Sequence, residues 1–278
     1  GAPGGQPSSD SLFSYLGCCE NGAGTFGGSE DHTAILGCQP GHLSHYSFCP
    51  TTFQSLLKWP EGFVFIIASS GVEAEKTMSK LQDYNDAVTV MRSGKEVLTQ
   101  DPNSNLSLSD VVGGKSEEEV LSKFDESKHS KEAGRVKHFM REQGYIKAVV
   151  AAFEEYSATG SAREIVGALG TIGASQESGA ALLHNQTRET VRLCEMVEEM
   201  VREEAGGMVA VASAFGAGFG GSVYCMYQRV GGGEEGAAAA KSFMGAWRQR
   251  YLSEFPEYSD SCDFFIVDKP MPGAVRVC

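Results

Sequence analysis

The chain has no uninterrupted apolar run of about 18 residues, the length a membrane-crossing helix needs. Nothing near its N-terminus resembles a basic region followed by an apolar segment, so no secretory leader is read there. Positive charge is scarce: 23 Lys and Arg face 36 Asp and Glu, for a formal net charge of −13. Nucleic-acid backbones are gripped by Lys and Arg, so that class of partner is not expected. A small phosphorylated ligand is not excluded by the same number, because backbone N–H groups and a metal ion can meet its charge locally. The eight cysteines, at 18, 19, 38, 49, 194, 225, 262 and 278, form no Cys-x-x-Cys pair. Reduced thiols in a cytosol-like compartment are therefore expected. Cys38, Cys194 and Cys225 sit among apolar neighbours and read as core residues. No internal repeat is present.

What the chain does have is length for one large domain or two modest ones, and a 41% hydrophobic content that supports a real core. Residues 1–11 read as a flexible leader. Leu43–Cys49 and Thr52–Lys58 read as paired strands, and the apolar run Phe63–Ala68 as a central buried strand that stops at Ser69-Ser70-Gly71. A short helix is expected over Asp31–Cys38, opened by Ser29 or Glu30. Helical spacing marks Glu73–Arg92, Arg135–Tyr156, a short piece at Ser161–Gly170, Glu177–Glu204 and about 236–253. Lys115–Ala133 is a charge run that reads as a solvated face. Strands are expected at Val223–Tyr227, Asp263–Val267 and Ala274–Val277. A β-rich first part and a helical second part with a small antiparallel sheet give an α+β class.

Two glycine-rich stretches stand out. Ser213–Ser222 carries four glycines within six residues (Gly216, Gly218, Gly220, Gly221) between two apolar runs. That density suits a backbone that turns with positive φ or lies close against a ligand or another chain segment. A tight connection between core elements accounts for it equally well. The other stretch is Gly27-Gly28-Ser29-Glu30-Asp31-His32-Thr33, ahead of the short helix. A carboxylate there, Asp31, is placed to accept a proton from a substrate hydroxyl; it is also where a helix-start acid is favoured by the macrodipole. His32 has no second ligand at i+4, so no metal site is read from it.

Taken in order, the Gly-Gly-x-x-Asp-His-Thr segment, the Ser-Ser-Gly strand end and the late Gly-x-Gly-Phe-Gly-Gly loop resemble the GHMP small-molecule kinases, and among them the galactokinase-like sugar kinases. The resemblance implies part of a GHMP N-terminal domain (ribosomal S5 domain 2-like) over 12–114 and a ferredoxin-like C-terminal domain over 115–278. By the same resemblance the activity is ATP-dependent phosphorylation of a sugar hydroxyl, of the sugar 1-kinase type. Asp31 is then the catalytic base or orienting group, with Glu30, His32, Ser70, Gly71 and Tyr84 toward the sugar. Ser213, Gly216, Gly218, Gly220 and Gly221 lie beneath the nucleotide phosphates, and ATP with Mg²⁺ serves as cofactor. The sequence departs from the family pattern in lacking an Arg-containing Gly-Glu-His-like segment and a Gly-Leu-Ser-Ser-Ser-like loop. His32 stands where galactokinases usually carry Gln, and Ala217 replaces a common middle glycine. These departures leave four readings: a sugar kinase; the C-terminal portion of one, whose first part is cut away, unresolved or supplied as a separate segment; a GHMP-fold binding protein without catalysis; or, leaving the three ordered motifs unexplained, an unrelated binding protein. A cytoplasmic protein with no membrane partner is expected in each case.

Overall fold

The computed structural model describes residues 9–22, 28–48, 50–73, 81–204, 207–216, 218–229 and 231–271. The chain divides into two compact units, 1–59 with 269–278, and 60–268. The division falls at Trp59/Pro60, whereas the sequence reading draws it at 114/115.

The smaller unit holds helix α1 (Ser9–Gly22), helix α2 (Glu30–Gly37) and a hairpin of β1 (His42–Ser47) with β2 (Thr52–Lys58). Since α1 begins at Ser9, residues 9–11 belong to a helix and not to a leader. The hairpin pairs His42 with Lys58 and Ser47 with Thr52, and its register shifts between His45 and Tyr46. Aromatic edges knit the unit: Phe13 meets Tyr46 at 6.1 Å, and Tyr46 meets Phe53 at 5.5 Å. Gly17 lets α1 approach the start of α2, because a Cβ there would stand 3.1 Å from Gly28 and Ser29. The returning chain closes the hairpin, with the Gly41 N–H donating to the Pro270 carbonyl at 2.9 Å.

The larger unit is built on a four-stranded antiparallel sheet. Its strands are β3 (Phe63–Ser69), β4 (Ala210–Ala214), β5 (Ser222–Gln228) and β6 (Asp263–Val267), in spatial order β4-β5-β3-β6. The run Phe63–Ala68 is therefore a central strand, as its continuous apolarity predicts. It pairs with β5 from Phe63↔Gln228 to Ser69↔Ser222, and on its other edge with β6. That pairing draws residues 63–69 out of the smaller unit. One face of β3, formed by Val64, Ile66 and Ala68, is fully buried. It packs with Leu193, Met196 and Val197 of α8 (Arg188–Glu203) and with Phe243, Trp247 and Tyr251 of α9 (Gly233–Glu254). Around these helices stand α3 (Leu81–Thr99), α4 (Leu108–Val112), α5 (Glu117–Leu121), α6 (Ser130–Thr159) and α7 (Arg163–Leu182). Arg192 links α8 to α9, donating to Glu199 at 2.7 Å and to Glu254 at 2.8 Å.

Several helical expectations are corrected. The helix read as short at 161–170 is α7, which runs twenty residues to Leu182. The helix expected to start at Glu177 starts instead at Arg188, capped by Thr187, whose side chain accepts from the Thr190 N–H. The charge run is not wholly solvated. Val120 and Phe124 are buried against Val112 and Val136, and Arg141 forks onto Glu117 at 2.8 and 2.9 Å. On α6, Ile146 of the expected apolar stripe is 40% exposed. Cys194 and Cys225 are buried as expected, but Cys38 is only half-buried. Burial pushes both buried thiols well above the ordinary thiol range. The segment expected as a strand at Ala274–Val277, and positions 74–80 of the expected 73–92 helix, lie outside the described residues. No helix among the described residues is long and apolar enough to cross a membrane.

Candidate functional site

In the larger unit the glycine loop joins β4 to β5, a connection between adjacent antiparallel strands. Its backbone takes conformations that side chains resist: φ is +83° at Gly216, +87° at Gly218, +139° at Gly220 and +88° at Gly221. Phe219 shares the left-handed region at +60°, a strained choice for an aromatic residue that the surroundings must hold. They do so from three sides. The Phe219 N–H donates to the Asn185 carbonyl at 2.5 Å. Its ring meets Tyr84 edge-on at 5.1 Å. Tyr84, buried on α3, donates its hydroxyl to the Gly218 carbonyl at 3.1 Å, and burial raises its pKa.

The far end of the loop is stitched to the end of β3. Ser70 is fully buried. Its Oγ donates to the Gly221 carbonyl at 2.8 Å and accepts from the Val72 N–H at 3.2 Å. Its carbonyl accepts the Tyr251 hydroxyl at 2.6 Å, and the Gly221 N–H returns a bond to the Val72 carbonyl at 3.1 Å. In this structure the Ser70 side chain holds the loop and has no open face toward solvent. Gly71 (φ +85°) is packed against the turn after α9, since a Cβ would meet Ser261 Oγ at 2.5 Å.

The near end of the loop hangs on a glutamine in the middle of α7, which sequence reasoning missed. Gln176 Oε1 accepts from the Ala214 N–H at 2.9 Å and from Ser213 Oγ at 3.3 Å. Its amide nitrogen donates to Gln186 Oε1 at 2.6 Å. Gln176 is buried, so each of these bonds satisfies a group that water cannot reach. No local pattern signals it: one Gln in a helix carries no periodicity. Ser70, Gly71, Tyr84, Ser213, Gly216, Gly218, Gly220 and Gly221 are thus brought together around one loop. Ala217 lies outside the described residues.

In the smaller unit Glu30, Asp31 and His32 occupy the first turn of α2. Ser29 precedes them, buried, with its Oγ 2.6 Å from Thr51 Oγ1. Its carbonyl accepts the Thr33 hydroxyl at 2.7 Å, so the hairpin and the second turn both fix the helix start. Asp31 is exposed and His32 half-buried. Glu30 is exposed overall, but desolvation of its carboxyl, and secondly the Asp31 charge, hold it above the usual carboxylate range. A raised carboxylate pKa penalises the folded state once pH rises through the unfolded value, and the penalty is complete above the folded value. Glu30→Gln is therefore expected to raise thermal stability at neutral pH. The gain should fade as pH falls below the ordinary carboxylate range, as thermal melts across pH would show.

Among the described residues no group of three His, Cys, Asp or Glu side chains could hold a metal ion. A Mg²⁺ ion usually takes only one or two carboxylates beside the phosphates it accompanies, so exposed Asp31 remains compatible with one. For a phosphate group, the loop offers backbone alone. A Cβ on Gly216 or Gly221 would meet nothing within 4 Å, so the chain is open there, although the Phe219 and Gly221 N–H groups are already spent on Asn185 and Val72.

The larger unit, with helices over an antiparallel sheet and a glycine turn at the sheet's end, is a mixed helix-and-sheet fold. The chain is similar to the crystal structure of Lactococcus lactis galactokinase complexed with galactose, with a TM-score of 0.74 at 18% identity. The match covers 96% of this chain and 61% of that one, so the chain spans about three fifths of the galactokinase's length. At that identity the likeness is one of fold. No family model matches the chain, and no curated protein sequence matches it.

Proposed function

We propose that the protein is a sugar kinase of the galactokinase-like GHMP type, or the portion of one that carries the glycine loop and the Asp31 helix. The observation that carries this reading is the fold likeness over 96% of the chain, joined to the three ordered motifs the sequence shares with that family. Within the larger unit, the helices between β3 and β4, the direct β4-β5 connection and the long helix α9 between β5 and β6 support a ferredoxin-like domain.

On this reading Asp31 accepts or orients the proton of the attacking sugar hydroxyl. Exposure leaves its carboxylate free to meet a substrate, and the buried Ser29–Thr51 bond fixes the turn that presents it. ATP supplies the phosphoryl group when bound. The glycine loop contributes backbone donors without a bulky side chain, and Tyr84, Ser70 and Gln176 hold its shape. The test is an ATP-coupled sugar screen on the protein as isolated from its source. Turnover is expected, and Asp31→Asn is expected to lower it by about a hundredfold or more, the usual contribution of a positioned proton acceptor. Turnover unchanged by Asp31→Asn would overturn the role of Asp31. The absence of a Gly-Leu-Ser-Ser-Ser-like loop favours a second reading, a binding protein of the same fold. Saturable sugar binding without turnover would select it.

A further inference from the structure

A cavity in the larger unit lies away from the glycine loop. It measures about 540 Å³ and opens between α8, the ends of β4 and β5, and α9. That size falls in the range of small-molecule sites. Met200, Met208, Tyr227 and Phe243 form its floor, and Ala239 and Ala246 of α9 leave its wall low. The rim carries Glu203, Glu204, Ser242 and Arg250.

Two features point to an occupant. The Tyr227 ring is buried and stacks on Phe243 at 4.8 Å, and its hydroxyl, which is not among the fully buried polar atoms, has no hydrogen-bond partner among the described residues. A hydroxyl that is not sealed off and has no protein partner is free to meet a ligand or water at the cavity, and burial of the ring, with Cys225 and Glu204 nearby, raises its pKa. The rim charge is also unbalanced. Arg250 is taken by Glu203, with Nη1 at 3.1 Å from Oε1 and a second bond from Nη2 to Oε2. Glu204 has no ion-pair partner among the described residues, so the rim is left with one carboxylate beside an apolar floor.

We propose that this cavity binds a small amphipathic amine. An aryl or alkyl body would cover the methionine and aromatic floor, a cationic head would face Glu204, and the head or a bridging water would meet the Tyr227 hydroxyl. The methionine floor suits ligands of varied shape. The site is independent of the kinase reading.

The test uses protein labelled with ¹³C at the methionine methyls, titrated with 4-phenylbutylamine and, separately, with 4-phenylbutyrate. The expected result is a saturable shift of the Met200 and Met208 resonances with the amine, and binding of the carboxylate weaker by about threefold or more, as for a partly exposed charge pair. Glu204→Gln should shrink that preference toward unity. Ala246→Trp, on an exposed helix position, should fill the cavity and abolish the shifts. A separate methyl spectrum of that variant with unchanged dispersion would show that it folds. Absence of saturable shifts at both methionines, equal or tighter binding of the carboxylate, or an undiminished response in folded Ala246→Trp would each overturn the proposal.

Discussion

Gly218→Ala is expected to destabilise the protein by about 3 kcal/mol or more, whereas Gly216→Ala, two residues earlier, should cost about 1 kcal/mol. Both positions have nearly the same positive φ, +87° and +83°. An L side chain pays a similar conformational cost at either, on the order of 1–2 kcal/mol. What differs is space. A Cβ on Gly216 would meet nothing within 4 Å, but one on Gly218 would collide with the backbone carbonyl of Asn185 and stand 2.9 Å from its Cγ. That carbonyl cannot swing aside cheaply, because it accepts the Phe219 N–H. Moving the loop instead would break the Tyr84 bond to the Gly218 carbonyl and part the Tyr84–Phe219 rings. Urea unfolding of the two variants isolates the collision, since the conformational cost largely cancels between them. Equal losses would mean that the loop shifts freely, and that its tight seat against Asn185 is not maintained in solution.

That seat marks the limit of what the sequence discloses. The glycine density at 216–221 announces positive φ, and the structure has it. The sequence does not announce which glycine must be glycine for want of room, because Asn185 lies over thirty positions away and only tertiary packing brings it there. The same division runs through the fold. Phe63–Ala68 is legible as a central strand because both of its edges and one whole face are covered, and apolarity is the local trace of that. Its allegiance to the larger unit is not legible, because its partner β5 begins at Ser222 and pairing at that separation leaves no periodic mark. Helix α7 hides behind Gly167, Gly170, Gly173 and Gly179, which read as breakers. Ile165, Ala168 and Leu169 are nevertheless buried, and tertiary packing overrides the propensity. The break before α8 hides for the opposite reason. It contains neither Gly nor Pro, its one left-handed residue is His184 at +54°, and its capping box is closed by Thr190 where Glu or Gln is usual. Of the candidate site, Asp31 at a helix start and the glycine loop can be read directly. Gln176, which secures the loop from the middle of a helix, cannot.

Trp247→Ala should produce the largest loss among core substitutions, about 3–5 kcal/mol. The indole is fully buried, at the point where α9 meets both the sheet and α8. Its ring meets Phe264 of β6 edge-on at 5.3 Å and lies 6.2 Å from Phe243, while Nε1 donates to the Leu193 carbonyl of α8 at 3.1 Å. The cavity, more than the lost bond, sets the cost: the Leu193 carbonyl sits inside α8 and keeps its helical partner, so that bond is worth only about 1 kcal/mol. Trp247→Phe separates the two contributions, since it keeps an aromatic ring against Phe264 and gives up the bond with part of the volume. It is expected to cost about half as much as the alanine variant in urea unfolding. A domain of this kind holds about 5–15 kcal/mol in all, so the alanine variant should remain folded at room temperature yet unfold at a markedly lower denaturant concentration. Should alanine and phenylalanine cost the same, the Leu193 bond would outweigh the packing, and α9 would be anchored by one polar contact. Should alanine cost under 1 kcal/mol, α9 could not be seated on the sheet as described, and the Tyr251 bond that fixes Ser70 beneath the glycine loop would lose its support.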